Sequence, residues 1–316
     1  MANSAFAAAL NPANPKEVRV WYLVKEGYAA MASLAVDYLL ANHDRYQKGA
    51  RSAPQPEGAA TESADVSTAI LSGGVGFGKI ITPTSVNIYG IMQDKKVAIV
   101  SPTVWPLKKD DTYIVASERA VAASRAAKGF KPNKPVVDVV YFIKTPENEK
   151  PGIESVDVSD GTTKRLEDAQ PNANSRLCAA YFASGDKEQP FVYYKGKNKL
   201  YEYDVYDQIV TPINGITSLP ETTSLASCIF KGVPYLFWLS AGEYRLMYSR
   251  RMNGKWTTQA QVPGNNGGDL PEPAYNQSDL DVMTTDNDQH ILIFYLTSGS
   301  TNPYDCFAWM EPPSDK

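Results

Sequence analysis

Two carboxylates lie inside apolar strand patterns, where an isolated charge is costly to bury. Asp138 falls within VDVVYFI, and Asp281 alternates with Leu280 and Val282. A carboxylate in such a position has to be paired, protonated or directed into a cavity. It can then act as a general acid in a pocket, or it can accept backbone amides from a neighbouring element. The sequence leaves both roles open for these two residues.

Aromatic side chains are common on the same strands. Because side chains alternate along a strand, one of each adjacent pair of rings faces either side of its sheet. Most of these rings are expected to be core, but a gap between two sheets would turn some of them into an apolar pocket with a polar edge. The rings that we predict to wall such a pocket are Trp21, Tyr194, Trp238, Tyr295 and Trp309.

The strands that carry these residues recur as a module in the second half of the chain. Modules begin at Leu177 (LCAAYF), Leu225 (LASCIF) and Leu280 (LDVMTT), so their starts lie 48 and 55 residues apart. Each module continues with an aromatic strand and then a third strand. A period near 50 residues with several strands in each unit is typical of a β-propeller blade.

Earlier copies of the module extend the repeat over the rest of the chain. A clear copy begins at Ala120 (AVAAS), another at Ala5 (AFAAAL), and a weaker one is predicted at 66–71, 86–92 and 97–100. Six blades predict an all-β, six-bladed β-propeller formed by residues 1–316 as a single domain, because a closed ring leaves few exposed strand edges. Polar segments near 47–64 and 263–278 are predicted to be loop insertions.

Composition argues against several kinds of function. The net charge of −4 and the pI near 5.4 provide no basic field for nucleic acid. No apolar run reaches membrane-spanning length and the first residues lack a secretory signal, so a cytoplasmic protein is predicted. With two histidines, neither a metal site nor a cofactor is predicted. Cys178, Cys228 and Cys306 are expected to be reduced thiols in the core.

A glycine-rich segment, GGVGFGK from Gly73, has the spacing of a phosphate-binding loop. That motif requires Ser or Thr after the lysine and a helix after the loop, but Ile80 stands there instead. We therefore expect a glycine-rich turn between strands.

The strand order of the modules resembles that of the fungal fucose-specific lectins, which are six-bladed propellers. The resemblance covers most of the chain and is clearest from about Ala120 onward. In those lectins each sugar site takes an Arg from the second strand, a Glu from the third strand, and a Trp or Tyr from an adjacent blade. Arg19 fits the Arg position and Glu202 the Glu position, but they belong to different blades. The other Arg positions are assigned to Asp138, Phe191, Tyr235 and Leu292.

Because no blade has both residues, a buried set of sugar hydroxyls would lack charge-assisted partners, and a hydrophobic ligand is favoured. In this respect the chain is similar to the lectin-like fungal hetero-Diels–Alderases, which join a tropolone-derived ortho-quinone methide to the sesquiterpene humulene. That resemblance implies a cofactor-free enzyme that assists dehydration of a hydroxylated tropolone and orients the polyene for cycloaddition. Its proton donors and hydrogen-bond donors would be Asp138, Asp281, Arg19, Tyr141 and Tyr181.

Two other functions stay open beside this enzyme. A lectin would bind fucosylated or other glycans through Arg19, Glu202 and nearby rings, with avidity from several sites. A structural propeller would bind another protein through its loops. The expected partners are thus small hydrophobic substrates or glycans, a homodimer is left open, and neither nucleic acid nor a membrane is expected.

Overall fold

In the computed structural model, six antiparallel sheets form the blades of a propeller, and a separate two-stranded hairpin accompanies them. The described residues are 5–23, 29–41, 64–65, 76–118, 120–184, 187–217, 219–220, 222–264, 270–271, 273–275, 278–285, 289–298 and 305–309.

Blades 1 to 3 occupy the first half of the chain, and each has four strands paired in chain order. Blade 1 consists of β1 (Phe6–Asn11), β2 (Asn14–Leu23), β3 (Ala29–Ala35) and β4 (Ala64–Asp65), with helix α1 (Val36–Ala41) after β3. Blade 2 consists of β5 (Gly78–Ile81), β6 (Val86–Ile91), β7 (Val97–Ser101) and β8 (Trp105–Pro106). A short hairpin of β9 (Lys108–Lys109) and β10 (Thr112–Tyr113) follows it. Blade 3 consists of β11 (Val121–Ala127), β12 (Val136–Lys144), β13 (Gly152–Asp157) and β14 (Thr163–Leu166), with a 3-10 turn at Lys128–Phe130.

Blades 4 to 6 are the repeats that the sequence shows most clearly. Blade 4 consists of β15 (Leu177–Ser184), β16 (Lys187–Lys195), β17 (Leu200–Asp204) and β18 (Ile209–Pro212). Blade 5 consists of β19 (Leu225–Phe230), β20 (Val233–Leu239), β21 (Leu246–Met252) and β22 (Lys255–Trp256), and β23 (Ala260–Gln261) also pairs with β21. Blade 6 consists, in its described part, of β24 (Leu280–Thr284), β25 (Ile291–Tyr295) and β26 (Asp305–Trp309).

The first strand of each blade is the inner strand, and the six inner strands contact one another in a closed ring. β1 contacts β5 on one side and β24 on the other, so the first and last blades meet. This arrangement confirms the predicted all-β, six-bladed propeller. We call the face of the disc at which the inner strands begin the entry face, and the opposite face the exit face. Because neighbouring strands are antiparallel, the turns between second and third strands lie at the entry face.

Alternation along the second strands divides their side chains between the two blade interfaces. In β16, Tyr193 packs toward blade 5 and Tyr194 packs toward blade 3. Small residues dominate the inner strands, as in the fully buried Ala7, Ala8 and Ala9 of β1, since six strands converge near the axis.

Two predicted elements differ from the structure. The sequence MASLAVDY from Met31 is predicted to be the third strand of blade 1, but that strand ends at Ala35. The following VDY belongs to α1, because Val36 and Leu39 pack against blade 6. The inner strand of blade 2 is β5, whereas the predicted range 66–71 lies outside the described residues. A Cβ atom at Gly78 would lie 2.9 Å from the backbone of Ala122, so glycine allows blade 3 to approach closely.

The predicted loop insertions lie largely outside the described residues. Within 47–64 only Ala64 is described, and it pairs in β4. Within 263–278, Ala274 makes an isolated bridge with Thr297. Among the described residues, no helix has the length and apolar character needed to cross a membrane.

Candidate functional site

Asp281 joins three blades at the centre of the ring. Its carboxylate on β24 accepts the backbone amide of Ala8 in blade 1 at 2.5 Å and Lys79 Nζ of blade 2 at 2.6 and 2.8 Å. Lys79 also donates to the carbonyl oxygens of Ala8 and Val282 at 2.8 and 2.9 Å. Burial raises the pKa of Asp281, although Lys79 and the Ala8 amide oppose that shift. This geometry fits the structural role that we considered for Asp281, an acceptor of amides from a neighbouring blade.

A central cavity of about 90 Å³ lies beside this pair, at the entry-face ends of the inner strands. Charged residues of both signs line it, namely Lys79, Arg176, Asp279 and Asp281. Burial raises the pKa of Asp279 to about 6 even though Arg176 opposes the shift. Ligand pockets usually measure roughly 300–1,000 Å³. The central cavity is therefore too small for a tropolone and a sesquiterpene together.

Asp138 faces blade 2. Its Oδ2 accepts hydrogen bonds from Asn87 Nδ2 at 3.0 Å and from the Tyr89 hydroxyl at 2.9 Å. Its cross-strand neighbour Arg125 has a buried Nε with no hydrogen-bond partner among the described residues. Arg19 in blade 1 faces the next blade, blade 2, whereas Asp138 in blade 3 faces the preceding one. The adjacent Val139 faces the next blade, blade 4, so the assignment of Asp138 to the Arg position is wrong by one residue.

Arg19 lies at the interface of blades 1 and 2. It is two residues from Trp21, which packs on blade 2, so both side chains project from the same face of β2. Arg19 Nε donates to Glu17 Oε1 at 3.1 Å, and the two side chains are 36% and 25% exposed. Ser33 on β3 donates to the same oxygen at 2.9 Å. Burial alone would raise the pKa of Glu17, but the hydrogen bonds from Arg19 and Ser33 bring it below its usual value.

Glu202 lies at the interface of blades 4 and 5 and contacts an arginine and a tryptophan of the neighbouring blade. Its Oε2 accepts from Trp256 Nε1 at 3.0 Å and from the Tyr193 hydroxyl at 3.2 Å, and Oε1 lies 3.3 Å from Arg251 Nη2. Burial raises the pKa of Glu202, although Arg251, Trp256 and Tyr193 oppose that shift.

The Arg251 guanidinium lies 5.1 Å from the ring centre of Phe191, the residue at the Arg position of blade 4. A guanidinium from the next blade therefore stands close to where the lectin pattern places one. The side chains of Arg251 and Glu202 are only 14% and 6% exposed. In this conformation the cluster is closed to solvent.

Tyr141 and Tyr181 project toward the interface of blades 3 and 4. Tyr141 is completely buried, its hydroxyl accepts from Ser124 Oγ at 3.3 Å, and burial raises its pKa. Burial also raises the pKa of Tyr181, and the neighbouring Tyr206 and Glu188 add to that effect. Both phenols are thus weaker acids than a free tyrosine.

The residues predicted for catalysis are not brought into one pocket. Arg19, Asp138 and the two tyrosines lie at three different blade interfaces, and Asp281 lies at the axis. All five rings predicted to wall a pocket are core residues with at most 3% exposure, namely Trp21, Tyr194, Trp238, Tyr295 and Trp309.

Tyr194 alone among those five rings lines an open cleft. This cleft lies between blades 3 and 4 and has a volume of about 400 Å³. We call it the 3/4 cleft. Its lining residues include Lys150, Asp168, Gly196, Lys197 and Tyr201.

Several polar residues of these clusters were missed by the sequence analysis, among them Glu17, Arg125, Arg251 and Trp256. Glu17 could have been found, because two residues of separation along a strand place it beside Arg19. Trp256 follows the turn at Asn253 and Gly254, both of which have positive φ. Asn-Gly is the strongest short hairpin signal, and it marks Arg251 and Trp256 as cross-strand partners.

Cys178, Cys228 and Cys306 all lie in the described part of the chain and form no disulfide bond, and Cys178 and Cys306 are buried. Over the described part of the chain, no cluster of three or more His, Cys, Asp or Glu side chains could hold a metal ion.

The propeller is similar to solved structures of fungal lectins. A mutant of Aleuria aurantia lectin in complex with alpha-methyl-L-fucoside shares 15% identity at a TM-score of 0.61, over 99% of this chain and 97% of that one. SapL1 lectin in complex with alpha methyl fucoside shares 12% identity at a TM-score of 0.61, over 99% and 98% of the two chains. A mutant of AofleA from Arthrobotrys oligospora shares 12% identity at a TM-score of 0.60, over 99% and 88%.

No protein-family model matches the sequence, and no curated protein does. The similarity to these solved structures shows that the fold is that of the fungal fucose-specific lectins, as the strand order of the modules predicts.

Proposed function

We propose that this protein is a glycan-binding module that binds a fucoside-type sugar at the Arg19–Glu17 pair. The supporting observation is the arrangement of a partly exposed guanidinium and a partly exposed carboxylate 3.1 Å apart at a blade interface. Among the described residues, Arg19 has no partner other than Glu17. Its terminal amino groups are thus available to donate to vicinal sugar hydroxyls, while Glu17 accepts from a hydroxyl.

Glu202 supports the same interpretation at a second interface. A third-strand glutamate beside a tryptophan of the adjacent blade is the combination that the resemblance to fucose lectins implies. Because Trp256, Tyr193 and Arg251 already occupy most of the acceptor sites of Glu202, a sugar can bind there only after Trp256 moves. We therefore expect one accessible sugar site rather than a multivalent ring.

Glycan binding is favoured over the cycloaddition for a geometric reason. Cycloaddition requires both reactants and the proton donor in one near-attack arrangement. The donors predicted for it lie at three interfaces and at the axis, and the central cavity measures only about 90 Å³. Two of the similar lectins are bound to methyl fucosides, which also supports glycan binding over the cycloaddition. The cycloaddition stays a prediction, and product analysis with a hydroxymethyl tropolone and humulene is its assay.

Titration calorimetry with methyl α-L-fucoside tests the proposed site. Arg19→Gln should weaken binding at least tenfold, because charge-assisted hydrogen bonds to the sugar are lost. Arg245→Gln is the matched control, since Arg245 and Glu243 form a similar pair, 3.4 Å apart, on the surface of blade 5. Unchanged affinity in Arg19→Gln, or equal losses in both variants, would remove Arg19 from the site.

A further inference from the structure

The 3/4 cleft is distinct from the Arg19 site in position and chemistry. It lies at the entry face, where the turn between β12 and β13 approaches the turn between β16 and β17. Its volume of about 400 Å³ falls within the range of roughly 300–1,000 Å³ typical of small-molecule sites. Arg19 lies at another interface, toward the exit face.

Tyr201 forms one wall of the cleft, and its ring stacks on the buried Tyr194. The rings of Tyr194 and Tyr201 are nearly parallel at 16°, with centroids 5.4 Å apart. Gly196 maintains this arrangement, because a Cβ atom there would lie 2.5 Å from the Tyr201 ring and 3.4 Å from the Gln170 carbonyl oxygen. Pro151 and Val210 add apolar surface. The cleft therefore presents a preformed wall on which a flat apolar face of a ligand can pack.

Three charged side chains of the cleft are uncommitted. Lys150 and Lys197 reach it from two different blades, and Asp168 belongs to the connection between those blades. Among the described residues, none of these three side chains has a hydrogen-bond or ion-pair partner. The nearby Arg165 is already paired with Glu149 at 3.3 Å. The cleft therefore carries an excess of one positive charge, although the whole protein has a net charge of −4.

We propose that the 3/4 cleft binds a carboxylated pyranose, a sugar of the hexuronic acid type. The two lysines bind the carboxylate, and Asp168 with the amides of Gln170 and Asn172 binds the ring hydroxyls. The apolar face of the sugar packs on Tyr201. A neutral sugar leaves both lysines without a partner, so the cleft discriminates by charge. The proposal concerns another site and another sugar than the fucoside proposal, and each can hold without the other.

The test is a calorimetric titration of the full chain with D-glucuronate, with its methyl glycoside and with D-glucose. We expect saturable binding of D-glucuronate that weakens as salt is added, and little binding of D-glucose. The methyl glycoside mimics a terminal glycan residue, so its binding distinguishes a glycan site from a site for the free acid. Acetate is included as a competitor. If acetate binds as tightly as D-glucuronate, the cleft is a simple anion site and the proposal is overturned.

Variants connect the binding to the cleft. The double variant Lys150→Gln/Lys197→Gln should weaken D-glucuronate binding about tenfold. Lys199→Gln, an exposed lysine two residues away that does not line the cleft, should leave it unchanged. Absence of saturable D-glucuronate binding, or the same affinity in the double variant, would overturn the proposal. Arg19→Gln should leave D-glucuronate binding intact, so failure of either proposal is seen separately.

Discussion

Replacing Lys79 with methionine should weaken the closure of the ring. Lys79 Nζ makes four contacts of 2.6–2.9 Å to groups of blades 1 and 6, and the Lys79 and Asp281 side chains are only 18% and 14% exposed. Lys79→Met removes the partner that blade 2 supplies to the buried Asp281 carboxylate, which keeps its hydrogen bond from the Ala8 amide of blade 1. Removing one partner of a buried ion pair costs about 3–5 kcal/mol.

Thermal unfolding followed by calorimetry measures this loss. An unfolding entropy of roughly 2.1 cal/mol/K per residue, over 316 residues, converts the loss into a fall in Tm of about 5–8 °C. Because protonation neutralises the stranded carboxylate, the fall should be smaller at pH 5 than at pH 8. The double variant Lys79→Met/Asp281→Asn should recover part of the stability.

Lys128→Met is the matched control for this prediction. Lys128 pairs with Asp160 at 2.8 Å, but the two side chains are 47% and 36% exposed, so the unfolding temperature should hardly change. Equal falls for Lys79→Met and Lys128→Met would refute the reasoning from burial. A double variant as unstable as Lys79→Met would show that the stranded charge is not the cause.

Three further predictions concern buried polar groups. The pKa of Asp279 is raised from 3.8 to about 6, so the folded state binds its proton more tightly, and this contributes stability as pH falls through 6. At pH 8 the charged form costs roughly 3 kcal/mol. In urea denaturation Asp279→Asn should therefore have a higher free energy of unfolding than the parent at pH 8. An equally large difference at pH 4 would contradict the upward direction of the pKa shift. Trp256→Phe removes a donor from Glu202 and should cost about 1–3 kcal/mol in the same experiment, whereas no change would mean that this contact contributes little. Burial raises the pKa of Cys178, so iodoacetamide at pH 8 should label the partly exposed Cys228 first, and equal labelling rates by mass spectrometry would contradict this order.

Most of the fold could be predicted from the sequence because each blade repeats one pattern. A small-residue inner strand and an aromatic second strand keep the same spacing in blades 3 to 6, and β11, β15, β19 and β24 begin at or next to the predicted residues. In blade 2 the second and third strands lie where they were predicted, at 86–92 and 97–100, but the inner strand could not be predicted in this way. This inner strand, GKII, carries a glycine for close approach and a lysine for ring closure, and neither fits an apolar strand pattern. The single-domain organisation stays a prediction.

The sites were harder to predict because their partners come from different blades. Asp281 was recognised as a buried carboxylate, but its partner Lys79 is 202 residues away in sequence. Arg251, which contacts Glu202 and lies beside Phe191 of blade 4, comes from blade 5, so the pattern of blade 4 alone does not reveal it. The face on which Asp138 projects depends on a one-residue register, and strand periodicity alone did not fix it.

The stoichiometry of fucoside binding tests the central claim most directly. In calorimetry with methyl α-L-fucoside, we predict one saturable site per chain, which Arg19→Gln removes and Arg245→Gln leaves intact. Several equivalent sites, or one site that Arg19→Gln does not affect, would contradict the assignment to Arg19 and Glu17. No fucoside binding at any concentration up to tens of millimolar would contradict glycan binding at this interface altogether.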